Sequence, residues 1–234
     1  MQQYWFLPPS DFLGNLHPDD RDALLSLGAA RDYRKGEHVF LSGAPGRNVY
    51  VLQEGRAKIY KLSGSGKEVI LWFCLPGEMF GLAEVSRGGS REVFARLCTD
   101  SRVYSIPRDD FRRFLETHVD CAMQVIDLLS CRLRVLGDMF LNLAADDVGS
   151  RVVKLLMRLC ASYGRSDKAD FILDLPLTHQ EIADMVGATR QTVTTILNEM
   201  KRRGILRMEQ HCIHIQNQEQ LESLANLASD RWGL

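Results

Sequence analysis

Apolar positions along this chain change period near residues 31 and 107. In the first thirty or so residues Phe12, Leu13, Leu16, Leu24, Leu25 and Leu27 fall at roughly helical spacing, and Asp11 stands where a side chain can cap a helix. From about 31 to 107 the pattern becomes short apolar stretches, 38–41, 49–52, 57–60, 69–73 and 102–106. Gly36, Gly43, Gly46, Gly55, a Ser-Gly-Ser-Gly turn at 63–66, Gly77, Gly81, Gly88 and Gly89 punctuate them. Evenly spaced short strands broken by glycine predict an antiparallel barrel or sandwich, and small barrels often enclose a ligand cavity.

After residue 107 the period is helical. Phe111, Phe114 and Leu115 form a first amphipathic turn, and a longer helix is predicted over 119–145. Within it Ala122, Ile126, Leu129, Leu133, Leu136, Phe140 and Leu143 alternate spacings of four and three, an unbroken heptad seam of the kind found in two-stranded coiled coils. An ordinary core helix can mimic that spacing. However, a helix this long spans ~40 Å, and Val125, Leu128, Val135 and Met139 offer a second apolar face that could rest on the barrel. Ile126, Leu129, Leu133, Leu136 and Phe140 are therefore the expected dimer interface. The stretch 146–150 breaks the seam and reads as a hinge, followed by a helix through Val152, Val153, Leu155, Leu156 and Leu159 that ends at Tyr163-Gly164. Residues 165–177 read as a polar loop containing a short strand at 171–173.

Residues 178–206 carry the most chemistry. Thr178 with Glu181 forms a capping-box pattern, Ile182, Ala183 and Val186 form a buried face, and Gly187 stands where a tight turn needs positive φ. Thr189 can cap a second helix with apolar positions Val193, Ile196, Leu197 and Met200, which is the layout of a helix-turn-helix. That helix's other face bears Arg190, Gln191, Thr194, Thr195, Asn198, Lys201 and Arg202, including the guanidinium, amide and hydroxyl groups that read base edges in a major groove. Ile205-Leu206 and 212–215 suggest a short hairpin, a wing.

Composition narrows the reading. The chain has 234 residues, 45% hydrophobic and 25% charged, with 29 basic against 30 acidic residues and a net charge of −1. Disorder is excluded, and any grip on a polyanion must be local. Between 187 and 207 five basic residues face Glu199 alone, a local charge of +4 that suits phosphate contact. Six cysteines without a C-x-x-C pair provide neither a disulfide framework nor a standard zinc site, and suggest a reducing compartment. No apolar run approaches the ~20 residues that span a bilayer, and the N-terminus lacks the basic start of a signal peptide. No membrane partner and a cytoplasmic location are expected. No catalytic triad, H-E-x-x-H pattern or phosphate loop appears, so an enzyme is not expected.

The order of parts resembles the CRP/FNR superfamily of bacterial transcription regulators. The motifs that carry the resemblance are Leu177-Thr178-His179-Gln180-Glu181-Ile182-Ala183 and Gly187-Ala188-Thr189-Arg190-Gln191-Thr192-Val193. Support comes from Gly55, from Pro76-Gly77-Glu78-Met79-Phe80-Gly81, and from Asn142-Leu143-Ala144 ahead of Asp147-Val148-Gly149-Ser150-Arg151. The resemblance implies an α+β chain: an N-terminal antiparallel β-roll, a cupin-like jelly roll, as sensor over 1–118, a dimerisation helix over 119–145, and a winged helix-turn-helix over 146–234. It implies base reading by Arg190, Gln191 and Thr195 and phosphate contact by Thr178, Thr189 and Thr192. His179, Lys201 and Arg202 complete the expected DNA-binding set. The expected partners are palindromic double-stranded DNA, a second copy of the chain, and RNA polymerase.

The effector stays open. In the cyclic-AMP branch a Gly-Glu-Leu motif, an Arg-Ser-Ala motif and a Thr-Ser pair bind the nucleotide. Here Gly81-Leu82-Ala83, Arg91-Glu92-Val93 and Leu136-Gly137 stand instead, with the ribose carboxylate missing or displaced to Glu84. Glu92 is expected to repel a phosphate, and Arg91 reads as a surface or rim cation. An iron–sulfur cluster needs N-terminal cysteines, but the first cysteine is Cys74. Haem remains a candidate cofactor, although Gly81 and Ala83 replace the cysteine and histidine of the carbon-monoxide sensor; Cys74, Met79, His17, His38 and Cys98 are other conceivable ligands. An organic acid held by Arg91 and Arg132 is weakened by Gly137. The expected effector site is Gly81, Leu82, Arg91, Arg132, Leu136 and Gly137. The alternative reading is a haem- or thiol-based sensor whose output is protein contact rather than DNA binding.

Overall fold

A computed structural model of the chain describes residues 11–167, 170–173, 175–209 and 212–225. The signal-peptide reading of the first ten residues lies outside them. The chain divides into two compact units, with the boundary between Ser130 and Cys131.

The first unit opens differently from expectation. Asp11 does not cap a helix; its carboxylate accepts from the Gly14 N–H at 2.7 Å in a turn, and α1 (Pro18–Ser26) begins only at Pro18, which suits a first helical position. Eight strands follow: β1 (Ala29–Tyr33), β2 (His38–Phe40), β3 (Asn48–Glu54), β4 (Ala57–Leu62), β5 (Glu68–Cys74), β6 (Met79–Phe80), β7 (Phe94–Leu97) and β8 (Ser101–Pro107). They form two antiparallel four-stranded sheets, ordered β1-β8-β3-β6 and β2-β7-β4-β5. β1, β6 and β7 were not predicted. β6 has two residues, and β1 reads Ala-Ala-Arg-Asp-Tyr, too polar to register as an apolar run. One apolar cluster fills the barrel around Phe40, Tyr50, Leu52, Ile59, Phe80 and Leu97. Within it Tyr50 stacks on Phe80, with centroids 5.3 Å apart.

A second cluster joins the barrel to helices. Val49, Val51, Met79 and Ile106 pack with Leu24 of α1, Phe111 and Phe114 of α2 (Arg108–Thr117), and Cys121, Val125 and Leu128 of α3 (Val119–Ala145). Val125 and Leu128 thus lie on the barrel as expected. Met139 belongs to the second unit, where it lines a cleft with residues of the later helices.

The second unit holds the rest of α3, then α4 (Val148–Tyr163), β9 (Gly164–Asp167), β10 (Asp170–Leu173), α5 (His179–Val186), α6 (Arg190–Arg202), β11 (Leu206–Glu209), β12 (Cys212–Ile215) and α7 (Gln218–Ala225). The predicted polar loop at 165–177 is instead largely a hairpin, β9 with β10, and the sheet order is β11-β12-β10-β9. Asp147 caps α4, accepting from the Ser150 N–H at 2.8 Å. Val152, Val153 and Leu156 of α4 are fully buried, and α4 packs on α5, α6 and α7.

Candidate nucleic-acid interface

Two helix starts and one turn set the geometry. Thr178 accepts from the Glu181 N–H at 3.1 Å and the Glu181 carboxylate accepts from the Thr178 N–H at 2.9 Å, so the capping box closes and α5 begins at His179. Gly187 follows at φ 69°, a left-handed conformation that strains any L side chain, and aims the chain into α6. Thr189 then caps α6 by accepting from the Thr192 N–H at 3.1 Å. Both caps leave exposed hydroxyls beside helix N-termini, where the free N–H groups favour an anion.

Burial splits α6 in two. Val193, Ile196, Leu197 and Met200 are at most 1% exposed, each contributing about 1.5–3 kcal/mol through apolar burial, and they fix which side turns outward. Arg190, Gln191, Thr195, Asn198, Lys201 and Arg202 are exposed on that outer side. Thr192 and Thr194 are half-buried. Thr194 is occupied internally: its hydroxyl donates to the Arg190 carbonyl at 2.8 Å and accepts from Nδ1 of His179 at 2.8 Å. His179, expected to meet DNA, is thus the strut that joins α5 to α6. Burial, and after it the charge of Arg190, hold its pKa below the ordinary 6.5.

The cations differ in availability. Arg202 and Arg203 both clasp Glu199, the latter at 2.7 Å, and Arg207 pairs with Glu209. Among the described residues no carboxylate pairs with Arg190 or Lys201, which leaves these two free to meet an anion. The others are held by surface ion pairs, which are weak enough to yield to phosphate.

The heptad seam is exposed. Ile126 is 53% exposed, Leu129 42%, Leu133 73% and Phe140 75%, while Leu136 is half-buried. A row of large apolar side chains left in water on one helix face marks an interaction surface.

The expected effector residues divide between the two units. Arg132, Leu136 and Gly137 belong to the second compact unit, whereas Gly81, Leu82 and Arg91 belong to the first. Leu82 is buried in the cluster shared with α1 to α3. Arg91 is not a rim cation. It is 2% exposed, pairs with buried Glu84, and donates to the carbonyls of Gly81 (2.9 Å) and Asn48. Its guanidinium lies 4.3 Å from the Phe40 ring centroid. Glu92 is exposed and pairs with Lys61 at 3.3 Å, so the carboxylate beside Arg91 is Glu84 and not Glu92. Two more residues escaped the sequence reading. Arg151 donates from Nε to the Val186 carbonyl and from Nη1 to the Asp146 carbonyl, both at 2.9 Å, bracing the start of α4 against the ends of α3 and α5. Arg158 shares its cleft. Arg151, Lys154 and Arg158 recur at helical spacing, and that basic stripe was the available signal.

Comparison with known proteins adds to this geometry. A cyclic nucleotide-binding domain model matches residues 30–118 and a Crp-like helix-turn-helix domain model matches 150–224. The CRP-like cAMP-activated global transcriptional regulator of Mycobacterium tuberculosis is 32% identical over 190 residues, 81% of this chain and 85% of its own. The global nitrogen regulator of Synechococcus elongatus is 28% identical, covering 79% of this chain and 84% of its own. A solved CooA mutant from Carboxydothermus hydrogenoformans shares the fold, with a TM-score of 0.80 at 23% identity over 94% of this chain and 97% of that one.

Proposed function

The chain belongs to the CRP/FNR superfamily of transcription regulators, and from that premise we propose that it acts as a cytoplasmic homodimer that binds a palindromic DNA site through α6. The observation that carries this reading is the split of α6 into a buried apolar side and an outer side bearing Arg190, Gln191, Thr195 and an unpaired Lys201. Arg190 offers a bidentate contact to guanine, Gln191 pairs with adenine, and the capped helix starts at Thr178 and Thr189 hold phosphates. Two such helices reach successive major grooves when a two-fold axis sets them ~34 Å apart. The exposed seam of Ile126, Leu129, Leu133 and Phe140 is the surface that supplies that axis. RNA polymerase is the expected next partner. No described helix is long and apolar enough to cross a membrane.

The relatives named above are transcription regulators, not enzymes, and their names point to different signals. In this chain the barrel residues do not fit a cyclic nucleotide. Both terminal nitrogens of Arg91 already bind Gly81, Glu84 and Asn48, and the Glu84 carboxylate already balances the charge a phosphate would meet. Two of the thiols do not favour redox sensing either. Burial, with Asp20 beside it, pushes Cys121 up to about 11, and burial pushes Cys160 up to about 12, which leaves both as unreactive thiols at neutral pH.

Fluorescence anisotropy on labelled palindromic and scrambled duplexes tests the proposal. Arg190→Ala is expected to cost about 1–3 kcal/mol on the palindrome and little on the scrambled duplex. Equal losses on both would remove Arg190 from base reading. Cyclic AMP at millimolar concentration is expected to leave the palindrome affinity unchanged; a tightening of about tenfold, ~1.4 kcal/mol of coupling, would overturn the reading of the barrel.

A further inference from the structure

The two helices of the reading motif are joined by more than apolar packing. His179 is the first residue of α5, whose start is fixed by the closed capping box, and Thr194 lies on α6 one turn after Arg190. Thr194 Oγ1 donates its only hydrogen to the Arg190 carbonyl at 2.8 Å, and a carbonyl can only accept. The 2.8 Å contact between Thr194 Oγ1 and His179 Nδ1 therefore takes its hydrogen from the ring, which makes Nδ1 the protonated nitrogen of the neutral imidazole. Burial, and after it the charge of Arg190, disfavour a second proton on that ring. The result is a directed chain, from the His179 ring through the Thr194 hydroxyl to the Arg190 carbonyl, and consecutive hydrogen bonds strengthen one another. It ends on the backbone from which Arg190 projects. Thr195 shows the contrast: its hydroxyl donates to the Gln191 carbonyl at 3.1 Å, within its own helix.

We propose that His179 is a positioning residue for base reading: its ring, acting through Thr194, fixes the first turns of α6 on α5 and so sets where Arg190 meets a base edge. The proposal rests on the reading of α6 given above and adds to it a residue that need not touch a base. Side chains that must be held within about half an ångström of a binding geometry need a supporting layer of hydrogen bonds. Val193, Ile196, Leu197 and Met200 bury the inner side of α6, but apolar burial has no direction and resists a roll of the helix poorly. A hydrogen bond from α5 does have direction, and it reaches α6 within one turn of Arg190.

Dissociation constants of full-length variants for palindromic and scrambled duplexes test it. His179→Leu and Thr194→Val remove the donor and the acceptor at nearly constant size. Each is expected to lower the preference for the palindrome by about three- to tenfold, the worth of one neutral hydrogen bond. His179→Asn, whose amide nitrogen stands close to the position of Nδ1, and Thr194→Ser are expected to keep the preference within about twofold of the parent. Added to Arg190→Ala, His179→Leu is expected to cost nothing further, because the strut acts through Arg190. An unchanged preference in both His179→Leu and Thr194→Val, the same loss with and without Arg190, or no rescue by either conservative variant would each overturn the proposal. A parent chain that binds both duplexes alike would overturn base reading and the strut together, whereas a discriminating parent beside equally discriminating variants would overturn the strut alone. Nitrogen-15 spectra of the histidine rings in the unaltered chain, assigned by the signals lost in His179→Asn, give a check without DNA. Hydrogen on Nδ1 is expected, and hydrogen on Nε2 would overturn the bond even if His179→Leu does not fold.

Discussion

Replacing Glu84 by glutamine would strip the counter-charge from Arg91 while keeping the size of the side chain and one acceptor oxygen. The two side chains are 1% (Arg91) and 10% (Glu84) exposed, so water and salt do little to screen the charge left behind. Arg91 would retain the carbonyls of Gly81 and Asn48 and the face of Phe40, but as an uncompensated buried cation. Removing one partner of a buried pair costs about 3–5 kcal/mol. Because the amide oxygen still accepts a hydrogen bond, a loss of about 3 kcal/mol is expected, a large share of the 5–15 kcal/mol typical of a folded protein. Adding Arg91→Met removes the stranded charge and places an apolar chain among Phe40, Tyr50 and Phe80, so the double variant should recover most of the loss. Urea unfolding of the four proteins, followed by circular dichroism at matched slopes, yields the coupling between the two sites. A Glu84→Gln protein within about 1 kcal/mol of the parent, or a coupling near zero, would mean that the pair is not desolvated. Arg91 would then be free for an anionic ligand such as a cyclic nucleotide.

Leu133→Asp places a charge on the seam, opposite its own symmetry mate in the proposed dimer, and should shift sedimentation to the monomer while weakening palindrome binding; an unchanged dimer with unchanged affinity would refute this seam. Lys201→Ala should weaken palindromic and scrambled duplexes alike and reduce the slope of log affinity against log salt by about one unit, and a change confined to the palindrome would count against a phosphate contact. His179 has a folded pKa below 6.5, so as pH falls the unfolded chain takes up its proton first. Its stabilising contribution is full above pH 6.5 and declines as pH drops from there toward the lowered folded value. Thermal melts of the parent and of His179→Gln between pH 7.5 and about 5.5 should differ in slope, and parallel curves would show that the His179–Thr194 contact is not sensitive to protonation.

Features that depend on neighbours in the chain were legible in the sequence. The capping box at Thr178 and Glu181, the left-handed turn at Gly187 and the cap at Thr189 use side chains within four residues of the backbone they satisfy, so their spacing alone specifies them. The 119–145 helix and the apolar side of α6 follow from periodicity, because a helix repeats its facing every few residues regardless of what packs on it. Local pattern failed where contacts were distant or elements short. Polar β1 is a strand because β8, some seventy residues away, supplies its hydrogen bonds, and two-residue β6 exists only beside β3.

Charge was where sequence alone misled most. Residues 187–207 sum to +4, but which cations remain available depends on side chains folding back, and Glu199 engages two of them. Arg91 and Glu84 lie seven residues apart with no periodic relation, and Glu92 is adjacent to Arg91 in the chain, so proximity in sequence pointed to the wrong carboxylate. Glu92 turns outward to Lys61, whereas the turn after Gly81, at φ 73°, brings Glu84 onto the guanidinium. The fold, the family and the reading face of α6 were therefore set by local periodicity and capping. The burial of Arg91, its pairing with Glu84 and the engagement of Arg202 and Arg203 by Glu199 were decided only in three dimensions, because the free energy of a charge depends on the water it loses and the partner it finds.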